Sequence, residues 1–221
     1  MIAREVITDT LPPVKSTDSA NLALNWMNEF KISQLPIVDG GNYSGLITEN
    51  DILDATDPDA LVGSIRYSGW DSAYIYQGQH IYDAFDIMSN LRLEILPVVD
   101  EEGMYLGVIT LRDLIRYLDG LFAVREPGGV LVLGISQRGY MLSEISRIAE
   151  SENAKILSLY LAQKPDSSDL ILTLKLNVED LSRVTASFDR FGYQILQTYH
   201  RIDNSEDFRN NLDALLKYLD M

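Results

Sequence analysis

Two short strings hold the residue types that could do chemistry, GLITENDI at residues 45–52 and GVITLRDL at residues 107–114. In each, a glycine stands three positions before a threonine and an aspartate three positions after it. If Thr48 and Thr110 open helices, the free amides of the first turn lie beside their hydroxyls. Such amides, with the helix dipole, favour an anion such as a phosphate. Asp51 and Asp113, one turn on, present acceptor-only carboxylates that can take two hydrogen bonds from a ribose diol. Gly45 and Gly107 let a ligand or a backbone come close. The set amounts to a miniature adenosine phosphate site. The same spacing also makes a capping box, in which the threonine accepts an amide and the acid reaches back. Residue types alone leave both readings standing.

The elements that would position these groups are repeated. ISQLPIVDGGNYSGLITENDI (32–52) returns as LEILPVVDEEGMYLGVITLRDL (93–114). Pro36 and Asp39 recur as Pro97 and Asp100, and Gly45, Thr48 and Asp51 recur as Gly107, Thr110 and Asp113. The second set is offset by one position more than the first. That extra position falls at the turn, GGN against EEGM, where hairpins tolerate length change. Ahead of each hairpin lies one apolar helical face: Leu22, Ala23, Trp26, Met27 and Phe30, then Ile81, Ala84, Phe85 and Met88. Asp18 and Ser19 offer an N-cap to the first of these helices. LPIV and LPVV are short buried strands, and SGLIT and LGVIT are their partners. Each unit is therefore helix, hairpin, helix, with a short extended segment in front (residues 13–14 and 74–75). About 50 residues bury too little to stand alone, so the two should pack as a pseudo-symmetric pair.

The tandem LPIVD…GLITENDI and LPVVD…GVITLRDL resembles a pair of CBS domains, or Bateman module, over about residues 1–120. The resemblance implies a pseudo-dimeric disc whose cleft can bind AMP, ATP or S-adenosylmethionine. By match it assigns phosphate or ribose contacts to Thr48 and Thr110 and ribose hydroxyls to Asp51 and Asp113. It assigns adenine contacts to Val14 and Lys15 with Leu35 and Pro36, and to Ile75 and Tyr76 with Leu96 and Pro97. Many nucleotide-binding members carry a basic residue just ahead of the apolar-Pro pair, where this chain has Gln34 and Ile95; Glu94, next to the second, would repel phosphate. Lys15 and Arg112 are the cations inside or flanking the matched segments.

Beyond Glu126-Pro127-Gly128-Gly129, a linker by composition, the pattern changes. Residues 130–135 alternate as a strand, and 141–152 carry Leu142, Ile145, Ile148 and Ala149 at helical spacing. Residues 155–163 and 170–177 are strands joined by KPDSSD, 178–191 predict a helix ending at Gly192, and 193–199 a fourth strand. This order is the ferredoxin-like split βαβ plan. It resembles an ACT domain over about residues 129–201, with the family's loop at Arg138, Gly139, Tyr140, Met141 and Leu142. Ser136 and Arg138 replace the family's usual acid or amide and proline, so dimerisation is the role expected ahead of amino-acid binding. Phe208, Leu212, Leu215, Leu216 and Leu219 stripe a terminal helix begun near Asn204 and Ser205. Together the parts resemble acetoin-utilisation-type regulators.

The expected fold class is α/β (α+β). It comprises a CBS pair over 1–126 (repeats about 1–60 and 61–122), an ACT-like βαββαβ domain over 127–201 and an amphipathic helix over 202–221.

Composition narrows the function. The 221 residues hold 18 Lys+Arg against 33 Asp+Glu, a net charge of -15. That balance disfavours DNA, RNA and anionic membrane surfaces. With no cysteine, thiolate nucleophiles, disulfides and Cys-based zinc sites are excluded. No signal peptide or membrane-spanning stretch is read, so a cytoplasmic protein is expected. His80 and His200 are the two histidines, and no GxSxG, P-loop or HExxH string occurs. Tyr67, Trp70, Tyr74 and Tyr76 could stack an adenine or cover the core. Asp51/Asp54 and Asp57/Asp59 could hold Mg²⁺ through waters, against a solvated helix end and turn. The expectation is a non-catalytic regulator that senses an adenosine-containing ligand and signals through a homodimer to another protein. It needs no cofactor and has no resident metal. The alternatives are a ligand-free dimeric scaffold and amino-acid sensing at the ACT-like domain.

Overall fold

The structure, a computed structural model, describes residues 1–8, 10–55, 57, 60–65, 72–136, 139–164 and 167–199. The expectations for Asp59, Tyr67, Trp70, Arg138, His200 and the helix over 202–221 lie outside the described residues. The chain divides into two compact units, Met1–Leu118 and Asp119–Met221.

In the first unit the repeat is realised element by element. Helix α1 (Ala20–Phe30) leads to the hairpin β1 (Gln34–Asp39) and β2 (Asn42–Thr48), then to α2 (Glu49–Leu53). The short strand β3 (Ile75–Tyr76) precedes α3 (Ile81–Leu91), the hairpin β4 (Ile95–Val99) and β5 (Tyr105–Thr110), and α4 (Leu111–Leu121). Spacing decides which side of each first helix is covered. Ala20, Ala23 and Met27 are buried in α1, and Ile81, Ala84 and Met88 occupy the same offsets in α3. Ser19 caps α1 by accepting from the Leu22 amide at 3.2 Å, and His80 takes that place in α3, its Nδ1 accepting from the Tyr82 amide at 3.3 Å. The extended segments ahead of the helices pair parallel with the first hairpin strands, Val14 with Ile37 and Ile75 with Val98.

The two repeats exchange their leading arms. A 3-10 turn at Ala3–Val6 docks on the start of the second repeat, where Ala3 and Arg4 donate to the Gln79 and Gln77 carbonyls at 2.9 and 3.1 Å. The matching turn at Val62–Ser64 docks on the start of the first, where Val62 and Gly63 donate to the Asp18 and Ser16 carbonyls, both at 2.8 Å. The hairpin turns also meet reciprocally: Tyr105 donates to the Gly41 carbonyl at 2.8 Å and Tyr43 to the Gly103 carbonyl at 3.4 Å. Buried residues of both repeats, among them Leu35, Ile37, Ile47, Ile75, Leu96 and Ile109, form one core.

In the second unit β6 (Val130–Ser136), α5 (Leu142–Ser151), β7 (Ile156–Gln163), β8 (Asp169–Leu176), α6 (Ser182–Arg190) and β9 (Gln194–Tyr199) follow in order. The sheet order is β7-β8-β6-β9, every pair antiparallel, which is the split βαβ arrangement. Leu131, Leu133 and Ile135 alternate onto the face that packs with Ile145, Ile148 and Phe188. Helix α6 starts at Ser182, later than the expected 178. The Val178 carbonyl accepts from the Gly129 amide at 2.8 Å, and Asp180 accepts from the Ser182 amide at 2.9 Å. The chain is thus held out of the helix as far as Leu181. Gly128 and Gly129 are docked within this unit, where a Cβ on Gly128 would lie 1.9 Å from the Leu176 carbonyl oxygen, while Glu126 and Pro127 are exposed.

Candidate functional site

Both Thr-x-x-Asp strings fold as capping boxes at a strand-to-helix junction. Asp51 Oδ2 accepts the Thr48 amide at 2.9 Å and its hydroxyl at 2.6 Å, while the Asp51 amide donates back to Thr48 Oγ1 at 3.1 Å. Asp113 Oδ2 accepts the Thr110 amide at 3.1 Å and its hydroxyl at 2.5 Å, with the Asp113 amide returning a bond of 3.1 Å. Strand-ending threonines whose first turns carry an acid at the third position adopt this geometry locally. The glycines have a backbone task beside the close approach expected of them. Ser44 and Leu106 are each left unpaired by a register shift, and Gly45 and Gly107 follow them with φ of 152° and 142°. They allow the β-bulges that bend each hairpin strand toward its helix.

A hollow of about 490 Å³ lies against the second box, within the range of small-ligand sites. Thr110, Arg112, Asp113 and Arg116 supply one wall, and Thr8, Thr10 and Leu11 of the exchanged arm supply another. Phe30, Lys31 and Ile32, from the end of α1, close it from the first repeat together with Glu94. A second hollow of about 320 Å³, lined by Lys31, Ser33, Glu49 and Glu94, lies where the two repeats meet. There the Glu94 carboxylate accepts the Ser33 amide at 2.8 Å, and the Glu94 amide donates to Gln34 Oε1 at 3.1 Å. Ser33 and Glu94 are matched positions, so this is the seam of the pseudo-symmetry.

Residues 3–57 and 69–120 match the family described as CBS domain. The N-terminal unit is a tandem pair of CBS domains. The chain is 28% identical over 151 residues to the inosine-5'-monophosphate dehydrogenase of Methanocaldococcus jannaschii, an alignment covering 68% of this chain and 30% of that protein. The chain thus spans less than a third of the length of the curated relatives it matches first. Among solved structures it is similar to a CBS domain pair/ACT domain protein from Thermotoga maritima (25% identical, 53% of this chain and 96% of that one, TM-score 0.49). It is also similar to CBSX2, a CBS-pair protein from Arabidopsis thaliana solved in complex with AMP (23% identical, 53% and 95%, TM-score 0.45).

Within the CBS pair, the large hollow gathers three of the sequence-predicted residues, Thr110, Arg112 and Asp113. Thr48 and Asp51 make the equivalent junction in the first repeat. Val14, Leu35, Ile75 and Leu96 are fully buried core side chains, and Pro36 and Pro97 are buried beside them. Both backbone groups of Val14 are spent on β1, its amide on the Pro36 carbonyl at 2.9 Å and its carbonyl on the Val38 amide at 2.8 Å. Lys15 is exposed, its amide donating to Asp18 at 2.8 Å. Tyr76 is exposed and stacks edge-on to Tyr74, which stacks edge-on to Tyr43, with centroids 5.4 and 5.8 Å apart. The hydrogen bond with the Tyr74 hydroxyl holds the Tyr76 phenol above its usual pKa.

Sequence reasoning missed Lys31, Arg116, Thr8 and Thr10. Arg116 was within sight, one helical turn past Asp113 and 3.5 Å from its carboxylate. Lys31 had a fainter signal: Arg92, at the matched position of the second repeat, again puts a cation directly after the first helix. Both stand in left-handed conformation, φ 56° and 54°, as the C-caps of α1 and α3.

In the second unit the predicted loop residues Gly139 and Met141 border a hollow of about 250 Å³ with Glu144, Gly192 and Tyr193. The Gly139 amide donates to Ser136 Oγ at 3.1 Å, so Ser136 closes the loop. Tyr140 packs on the core, while Leu142 opens α5 half exposed. Tyr193 donates to Glu144 at 2.9 Å; burial, then that hydrogen bond, pushes its phenol up to about 12. Among the described residues, no group of three or more His, Asp or Glu side chains could hold a metal ion. No helix among them is long and apolar enough to cross a membrane.

Proposed function

We propose that the protein is a cytoplasmic, non-catalytic regulator whose CBS pair binds an adenosine-containing small molecule such as AMP, ATP or S-adenosylmethionine. The observation that carries this reading is the hollow at the second capping box. There Thr110, Arg112 and Asp113 come together with Lys31 of the first repeat. Asp113 Oδ1 is directed to a weak, exposed ion pair with Arg116, which a ribose hydroxyl could replace. Because the wall comes from both repeats and from the exchanged arm, occupancy favours one arrangement of the pair over another. Differential affinity of that kind is what a ligand needs in order to shift a population.

Signal passes through a homodimer to a further protein. Leu53 and Ile115, at matched positions on α2 and α4, are 64% and 60% exposed, an apolar pair suited to an isologous contact. The βαββαβ unit is ACT-type and serves assembly, with amino-acid binding at the hollow beside Gly139 as the second reading. Thermal unfolding of the full chain with adenosine, AMP, ATP and S-adenosylmethionine tests the proposal. A ligand at 100 times its Kd stabilises by about 2.7 kcal/mol. No shift with any adenosyl compound would refute it, and a shift with amino acids instead would move the sensing role to the second unit.

A further inference from the structure

The two capping boxes share one frame but differ in charge. Where the second repeat has Leu111, Arg112 and Arg116, the matched positions of the first are Glu49, Asn50 and Asp54. Residues 1–126 contain 8 basic against 20 acidic residues, and three of those 8, Lys31, Arg112 and Arg116, line one hollow. Such a concentration of cations on an acidic surface is a local exception, and it falls where a ligand-sized space exists. Two acids line the same hollow and keep their charge, but their bonded oxygens are turned to Thr110 (Asp113 Oδ2) and to the Ser33 amide (Glu94), and the cations still outnumber them.

Lys31 carries the most information. It caps α1 with φ 56°, its amide donating to the Met27 carbonyl. The backbone does that work whatever the side chain, and glycine is the ordinary occupant of a left-handed helix end. A cation there also favours the helix dipole, an account that applies equally to Arg92 in α3. The dipole does not require the lysine to line the hollow of the other repeat.

We infer that the second CBS site selects its ligand by phosphate charge: Lys31, Arg112 and Arg116 engage a di- or triphosphate. Polyphosphorylated adenosine is therefore taken in preference to adenosine, AMP or S-adenosylmethionine. The first site, with Glu49 and Asp54 at the matched positions, is not the polyphosphate site. The inference rests on the adenosine reading above and adds which site is used and what part of the ligand it reads.

Isothermal titration of the full chain with adenosine, AMP, ADP, ATP and inorganic tripolyphosphate tests it, at low and at physiological salt. The expected result is one ATP per chain, bound about ten-fold or more tighter than adenosine, with affinity falling as salt rises. Arg116→Ala should weaken ATP about ten-fold while freeing Asp113 Oδ1 for a ribose hydroxyl, and Lys31→Gln should weaken ATP about ten-fold with adenosine affected far less. Lys31→Gly should do the same while raising the unfolding midpoint, because it relieves the left-handed backbone. These residues are exposed, so the variants fold. Equal affinity for ATP and adenosine, or variants that weaken both alike, would overturn the inference and leave the adenosine reading intact. Tripolyphosphate bound as tightly as ATP, with the same loss in the variants, would support the charge site and refute the adenosine reading.

Discussion

Replacing Asp113 with alanine tests the two roles open to the Thr-x-x-Asp strings. The substitution removes the acceptor of two hydrogen bonds, from the Thr110 amide at 3.1 Å and the Thr110 hydroxyl at 2.5 Å. It leaves the third, from the residue 113 amide to Thr110 Oγ1, in place. Hydrogen bonds to a charged group contribute about 1.5–3 kcal/mol, and a whole N-cap about 0.5–2 kcal/mol. The junction is only half buried, so the freed amide and hydroxyl can turn to water. The expected loss is therefore about 1–2 kcal/mol. The broken pair with Arg116, whose side chain is 71% exposed, adds little. Thr110→Ala should cost a similar amount, and the double variant should fall short of the sum by about 0.5 kcal/mol or more, since both act on one box. Trp26 and Trp70, the chain's two tryptophans, both lie in residues 1–118, so tryptophan fluorescence during urea unfolding reports on the CBS pair alone. Strict additivity, or a loss below about 0.3 kcal/mol, would refute the coupling. Ligand titration of the folded variant then separates the roles: an unchanged affinity would leave Asp113 a cap and nothing more.

Two further outcomes are expected. Tyr193 has its folded pKa raised to about 12 from an ordinary value of 10.0, so the neutral phenol is favoured in the native state. Its contribution is fully present below the unfolded value and is lost as pH rises through about 12. Circular dichroism of urea unfolding between these pH values should show a steeper alkaline decline in the wild type than in Tyr193→Phe, and parallel curves would refute the assignment. Leu53→Asp and Ile115→Asp place a charge on the exposed apolar pair of α2 and α4 and should shift the mass measured by light scattering from dimer to monomer. An unchanged dimer mass would refute this contact, and a monomeric mass for the unsubstituted chain would refute the proposed homodimer.

Much of the frame was legible because it rests on local rules. Alternation and turn chemistry mark the hairpins, and the recurrence of Pro36, Gly45, Thr48 and Asp51 marks the repeat before any contact is known. The order of the second unit followed from the same signals. Helix α6 was misjudged at its start because Val178 is held by Gly129, a partner remote in the chain and invisible to any local window. The bulges at Gly45 and Gly107 were not legible, because a bulge depends on cross-strand register, which single residues do not reveal. Glu94 reads as a repulsive charge at the site, and its second task, accepting the Ser33 amide across the seam, was not legible because it depends on how the repeats meet. Lys31 was the hardest, since its place depends on how two repeats meet and not on any spacing along the chain.

The exchanged arm has a consequence for how the molecule opens. Thr8 pairs with Val108, and it shares one hollow with Lys31 and Arg116. A molecule seated there touches segments from opposite ends of the CBS pair and acts as a removable clasp on the loop of chain between them. Its departure would leave the arm held by the main-chain bonds of the Ala3–Val6 turn, the Ile2 and Thr8 bridges and the buried side chains of Ala3 and Leu11, with one anchor fewer than before. Cleavage near the N-terminus by a protease added in trace amounts would then report occupancy of a site formed mostly elsewhere in the sequence. The repeats are two in sequence, but neither can be unlatched without loosening the other.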